Sequence, residues 1–83
     1  MTNMAQLEDR VFEIVARTFQ VPRATVGLES APATISAWDS LQHVHLVLAI
    51  EEEFGVQFGV DDIATMNRVS TIITLLRERV DGV

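Results

Sequence analysis

Trp38-Asp39-Ser40-Leu41-Gln42-His43-Val44-His45-Leu46-Val47-Leu48-Ala49-Ile50-Glu51-Glu52-Glu53-Phe54 opens on residues that favour helix starts and continues with neither Gly nor Pro. Gln42 stands three positions after Asp39, the spacing of a capping box. A helix is therefore expected from about Ser40 to Phe54, with the Ser40 hydroxyl at its mouth and Gly55 closing it as a left-handed cap. At 100° per residue, Leu41, Val44, Leu46, Val47, Leu48, Ile50 and Phe54 spread over roughly 220° of its circumference, wider than the stripe of a surface helix. This predicts a central helix touching several neighbours. Gln42, His45, Glu52 and Glu53 fill the remaining arc, while His43 and Glu51 fall inside the apolar one and predict a gap in its cover. Trp38, just before the Asp39 cap, is expected to pack across the helix start as a hydrophobic staple.

Upstream, residues 21–38 hold Pro22, Gly27, Pro32 and scattered Ser, Thr and Ala without periodicity, which reads as a long loop. So long a connection is expected to pack itself down through Val26, Leu28 and Ile35 and to contain a short helical turn. Before it, Leu7, Val11, Ile14, Val15 and Phe19 line one face of a first helix that runs from Thr2 or Asn3 to about Phe19, stopped by Val21-Pro22. Downstream, Val56 to Val60 form a short connection. Asp61-Asp62 opens a brief helix ending near Met66, with Ile63 and Met66 facing in. A last helix, capped by Asn67 or Ser70, carries Val69, Ile72, Ile73, Leu76 and Val80 inward. The fold class is all-α: a small four-helix bundle of three main helices and one short one, a single domain over residues 1–83.

Eighty-three residues bury only about 60% or a little more of the extended chain's surface, so the core is thin. With no Cys there is no disulfide, no thiolate-bound zinc and no protein thiol nucleophile; any sulfur chemistry must come from a cofactor. Twelve acidic against six basic residues give a net charge of −6, which argues against nucleic acid and anionic membrane and favours basic protein surfaces as partners. The sequence shows neither an apolar run long enough for a bilayer nor a signal-peptide pattern, so a cytoplasmic monomer without membrane insertion is expected.

Candidate catalytic groups are few. His43 and His45, two apart, lie about 200° from each other on a helix and do not chelate one metal as an i, i+4 pair does. A Ser40–His43 dyad is conceivable at i, i+3, but no Gly-x-Ser-x-Gly elbow surrounds the serine. Glu51-Glu52-Glu53 and Asp61-Asp62 lack the alternating ligands of a calcium loop. Catalytic and metal-binding residues are therefore expected to be absent. Spacing alone gives Ser40 a structural part in the capping region. Its side chain nonetheless projects into solvent where unpaired N–H groups favour a phosphate diester.

Asp39-Ser40-Leu41, with Val44, Leu46-Val47, Ile50 and Glu51-Glu52-Glu53-Phe54 at fixed spacing after it, resembles the acyl carrier protein family, whose motif is Asp-Ser-Leu. Leu7 to Val11 with Ile14-Val15 resembles that family's first helix, Val21 to Val26 the start of its long loop, and Met66, Val69, Ile72 and Ile73 the end of its third helix and its fourth. The resemblance implies a carrier and not an enzyme. It implies that a separate magnesium-dependent phosphopantetheinyl transferase attaches 4'-phosphopantetheine to Ser40, flanked by Asp39 and Leu41, and that acyl groups ride on the arm as thioesters. It implies an acyl cavity at Val47, Ile50, Phe58, Ile63, Met66 and Ile72, with Phe58 expected to limit chain length. It also implies docking of acyl-transferring, acyl-activating or condensing enzymes with basic patches, through Gln42, His45, Glu51 and Glu52. Gln42 and His45 stand where fatty-acid carriers usually place acids, and Trp38 stands where a small residue is common. Both departures look more like carriers dedicated to a specialised lipid, fatty-acid or polyketide pathway. Two alternatives stay open: a peptidyl or aminoacyl carrier, and an unmodified helical interaction module.

Overall fold

The computed structural model describes the backbone of residues 4–81 and the side chains of residues 6–80. The first helix, α1, covers Met4–Phe19, and its expected beginning at Thr2 or Asn3 lies outside the described residues. Leu7, Val11, Ile14, Val15 and Phe19 are all buried, as the 3-4-4 spacing predicts. The helix ends because Gln20 turns into the left-handed region at φ 55°, which lets the Val21 N–H reach back to the Ala16 carbonyl at 3.0 Å. Pro22 then prevents its resumption.

The loop contains a 3-10 turn at Arg23–Thr25 and drives Val26, Ile35 and Trp38 into the core. Leu28 departs from expectation: its side chain is 43% exposed, and its contribution is made by the backbone. The Leu28 carbonyl accepts from Ser70 N and the Ser30 carbonyl accepts from Val69 N, both at 3.0 Å. Ser30 is buried, with its hydroxyl accepting from Gly27 N at 2.9 Å. The last helix therefore begins under a main-chain cap supplied by the loop, where Asn67 or Ser70 had been expected to supply a side-chain one.

The second helix, α2, runs Ser40–Phe54 and closes on Gly55 at φ 66°, with the Val56 N–H on the Glu51 carbonyl at 3.1 Å. A short α3 follows at Val60–Thr65, one residue earlier than Asp61 suggests, its entry fixed by Gly59 N donating to Asp62 Oδ2 at 3.2 Å. The last helix, α4, spans Val69–Asp81 and buries Val69, Ile72, Ile73 and Leu76, with Val80 half-buried. Among the described residues there is no strand and no helix long and apolar enough to cross a membrane.

Packing is uneven. α1 lies against both α2 and α4, and their shared core centres on Leu46, Ile50, Met66, Ile72 and Leu76. Each such side chain, wholly withdrawn from water, contributes about 1.5–3 kcal/mol. α3 buries no residue completely. It is tied down by polar bonds: Arg79 of α4 pairs with Asp62, donates to the Gln57 carbonyl at 3.3 Å, and lies 5.7 Å over the Phe58 ring. So slight an α3 cannot cover all of α2. The expectation of a central helix whose apolar arc is open only at His43 and Glu51 is corrected accordingly, with Leu41 65%, Val44 49% and Leu48 55% exposed.

Candidate functional site

Everything near Ser40 is set by how α2 starts. Asp39 holds extended backbone geometry, and its Oδ1 accepts from Gln42 N at 2.9 Å while its carbonyl accepts from His43 N at 2.8 Å. Only this half of the capping box forms. Asp39 N donates to the Ala37 carbonyl at 3.0 Å, and the Gln42 amide oxygen sits 3.3 Å from His45 Nδ1. Ser40 is the first helical residue and exposed, and its hydroxyl has no partner among the described residues. With the Gln42 and His43 donors taken, the N–H groups of Ser40 and Leu41 remain open to an anion attached at that hydroxyl.

Trp38 staples the helix start, but to an unexpected partner. Its indole is buried, stacks on Phe19 at 5.1 Å between centroids, and donates from Nε1 to His43 Nδ1 at 3.0 Å with the two ring planes 20° apart. His43 Nε2 in turn lies 2.9 Å from the Ile63 carbonyl of α3. An indole N–H only donates and a carbonyl only accepts, so the imidazole is the neutral tautomer with its proton on Nε2. His43 thus does not mark a gap in the cover of α2; it is half-buried and bridges the loop to α3. Both its nitrogens are committed, which leaves it no base for Ser40. Glu51, the other polar residue in the apolar arc, accepts from Phe58 N at 2.7 Å and anchors the segment before α3.

A groove of about 470 Å³ opens beside Ser40, lined by Pro32, Trp38 and Asp39 from the loop and cap, Ser40 and His43 from α2, and Ile63, Ala64 and Asn67 from α3 and the residues after it. Of the six residues expected to form an acyl cavity, Ile63 alone lines this groove; Val47, Ile50, Phe58, Met66 and Ile72 sit in the closed core behind it. The residues expected to dock partners divide. His45 and Glu52 are exposed, Gln42 and Glu51 are half-buried, and Glu51 is spent on Phe58. Between them runs a feature that the hydrophobic count conceals: Leu41, Val44 and Leu48, at i, i+3 and i+7, form an exposed apolar stripe leading away from Ser40. Its signal in the sequence is that spacing, opposite Leu46 and Ile50, in a chain with too few helices to cover both faces. Among the described residues no three His, Asp or Glu side chains come together as metal ligands would.

A small helical bundle that holds out one unbonded hydroxyl at the mouth of its second helix, and locks the nearest imidazole into its framework, defines a protein built to bear a group. The comparisons agree. Residues 9–76 match the family model described as phosphopantetheine attachment site. Acyl carrier protein 2 of Pseudomonas aeruginosa is 36% identical over 77 residues, which span 93% of this chain and 98% of that protein. The acyl carrier protein of Rickettsia typhi is 30% identical over 79 residues, 95% and 92% of the two chains, and acyl carrier protein 3 of Ralstonia nicotianae is 31% identical over 68, 82% and 78%. The chain belongs to the acyl carrier protein family: a carrier whose cofactor is 4'-phosphopantetheine, and not an enzyme.

Proposed function

We propose that Ser40 is the attachment point and that the chain serves a specialised lipid, fatty-acid or polyketide pathway in the cytoplasm. The observation that carries the attachment is the free Ser40 hydroxyl at the first turn of α2, beside the two open N–H groups of Ser40 and Leu41, while the pathway reading rests on Trp38, Gln42 and His45 around it. Bound there, the cofactor supplies a terminal thiol that holds acyl cargo as a thioester, the sulfur this Cys-free chain lacks. The chain itself orients the phosphate at the helix mouth, with Asp39 fixing the first turn.

Enzymes that act on the arm must cover the helix start, so the docking surface consists of Leu41, Val44 and Leu48 together with Gln42, His45 and Glu52. Exposed acids are sparse along it, and association there draws more on apolar burial than on charge steering. Val47, Ile50, Phe58, Met66 and Ile72 form the closed interior, and Ile63 faces the groove beside Ser40, so an alkyl chain on the arm meets Ile63 before any of the others.

Incubation with coenzyme A, magnesium and a broad-specificity phosphopantetheinyl transferase is expected to add one phosphopantetheine-sized mass increment, and Ser40→Ala is expected to abolish it. An increment that survives in the Ser40→Ala variant, or none in the wild type, refutes the assignment.

A further inference from the structure

We infer that His43 is a specificity-determining residue that bars cargo from the bundle interior, so that the arm of this carrier holds short acyl groups. The inference rests on the carrier reading of Ser40. The groove beside Ser40 is lined by both α2 and α3, and His43 joins the two: Nδ1 accepts from the Trp38 indole at 3.0 Å and Nε2 donates to the Ile63 carbonyl at 2.9 Å. The bridge is anchored at its far end, since Trp38 is only 4% exposed and stacked on Phe19 of α1. Behind it Ile50, Met66 and Ile72 are fully buried.

An alkyl chain that enters must part α3 from His43 and displace Trp38, leaving an indole N–H and an imidazole without partners in a half-buried place. α3 buries no residue completely, so apolar packing offers little resistance of its own; Arg79 ties α3 to α4 through Asp62, and on the α2 side the hydrogen-bonded rings supply the barrier. A group of two to about four carbons at the end of the arm has too little apolar surface to require the interior, and the groove of about 470 Å³ offers it Pro32, Ile63 and Ala64 without opening that barrier.

The test charges wild type, His43→Ala and His43→Gln with acetyl, butyryl, octanoyl and dodecanoyl phosphopantetheine from the corresponding coenzyme A thioesters. The mass increment at Ser40 is checked first; its absence overturns the carrier reading before any chain lengths are compared. A chain that enters the folded bundle binds the native state alone and raises Tm. In the wild type, the octanoyl and dodecanoyl forms are expected to melt within about 1 °C of the acetyl form, and in His43→Ala about 4 °C or more above it. His43→Gln, whose amide oxygen accepts and whose NH₂ donates, restores the flat wild-type series. A wild type that gains as much as His43→Ala, or a His43→Ala series as flat as the wild type, overturns the inference. Should His43→Ala not fold, hydroxylamine cleavage of the wild-type thioesters decides. Rates equal across chain lengths support the inference, and rates several-fold slower for the long chains refute it.

Discussion

Replacing Trp38 by Phe keeps the stack on Phe19 and removes the indole N–H that His43 Nδ1 accepts at 3.0 Å. Because Trp38 is buried and His43 half-buried, water cannot fully replace the lost donor, and an orphaned acceptor of this kind costs about 1–3 kcal/mol. The smaller ring adds a packing loss of about 1 kcal/mol, for a total of about 2–4 kcal/mol. At about 0.05–0.15 kcal/mol per residue the whole domain is stable by about 4–12 kcal/mol, so the change is a large fraction of what there is. Urea unfolding of apo protein at neutral pH, followed by far-UV circular dichroism, measures it. The decisive form is a cycle with His43→Leu. In that background the Trp38 N–H is already orphaned, so Trp38→Phe removes a liability and costs less than it does in the wild type. The Ile63 carbonyl, which keeps the Met66 N–H at 3.2 Å, loses the same partner on both His43→Leu arms and cancels. A coupling of about 1 kcal/mol or more is expected; additivity within about 0.3–0.5 kcal/mol refutes the bridge.

Ile50→Ala, at a position with no exposure, is expected to destabilise by about 2–5 kcal/mol, whereas Leu48→Ala on the exposed stripe stays within about 0.5 kcal/mol while weakening capture by partner enzymes; matched denaturation curves compare the two. Gly55→Ala at φ 66° forces a side chain into left-handed backbone and is expected to lower stability by about 1 kcal/mol in the same assay, although nothing lies near enough to clash. Arg10, through its hydrogen bond and charge, holds the Glu53 carboxyl below its ordinary value of 4.5. A depressed carboxylate stabilises above its unfolded value and ceases to as pH falls through the folded one. Arg10→Gln is therefore expected to lower stability slightly at neutral pH, where the exposed pair contributes, and to converge with the wild type in acid, so that its loss of stability as pH falls below about 4.5 is shallower.

Much of the architecture was legible because caps and periodicity are local. Asp39 and Gly55 bracket α2 at the residues that the sequence indicates, and the inward faces of α1 and α4 follow their spacing. What was illegible depended on partners far along the chain. The start of α4 borrows carbonyls from Leu28 and Ser30, and no pattern within residues 67–70 announces that. The apolar width of α2 was correctly counted but wrongly assigned to burial, since a count cannot show that α3 would be too short to cover Leu41, Val44 and Leu48. At the site, Ser40 rested on motif and setting, and its exposure agrees with both. His43 and Glu51 stood out as polar residues in an apolar arc, and their bonds to Ile63 and Phe58 explain why they are there.

Trp38 is the single tryptophan and there is no tyrosine, so emission excited beyond the absorption of phenylalanine comes from one indole. That indole has its face on Phe19 and its N–H on the imidazole that spans α2 and α3. The protein consequently carries its own optical gauge at the seam beside the attachment serine. Any chain that parts that seam changes the polarity and hydrogen bonding of this ring, so the entry or exclusion of cargo can be followed in real time on unlabelled protein.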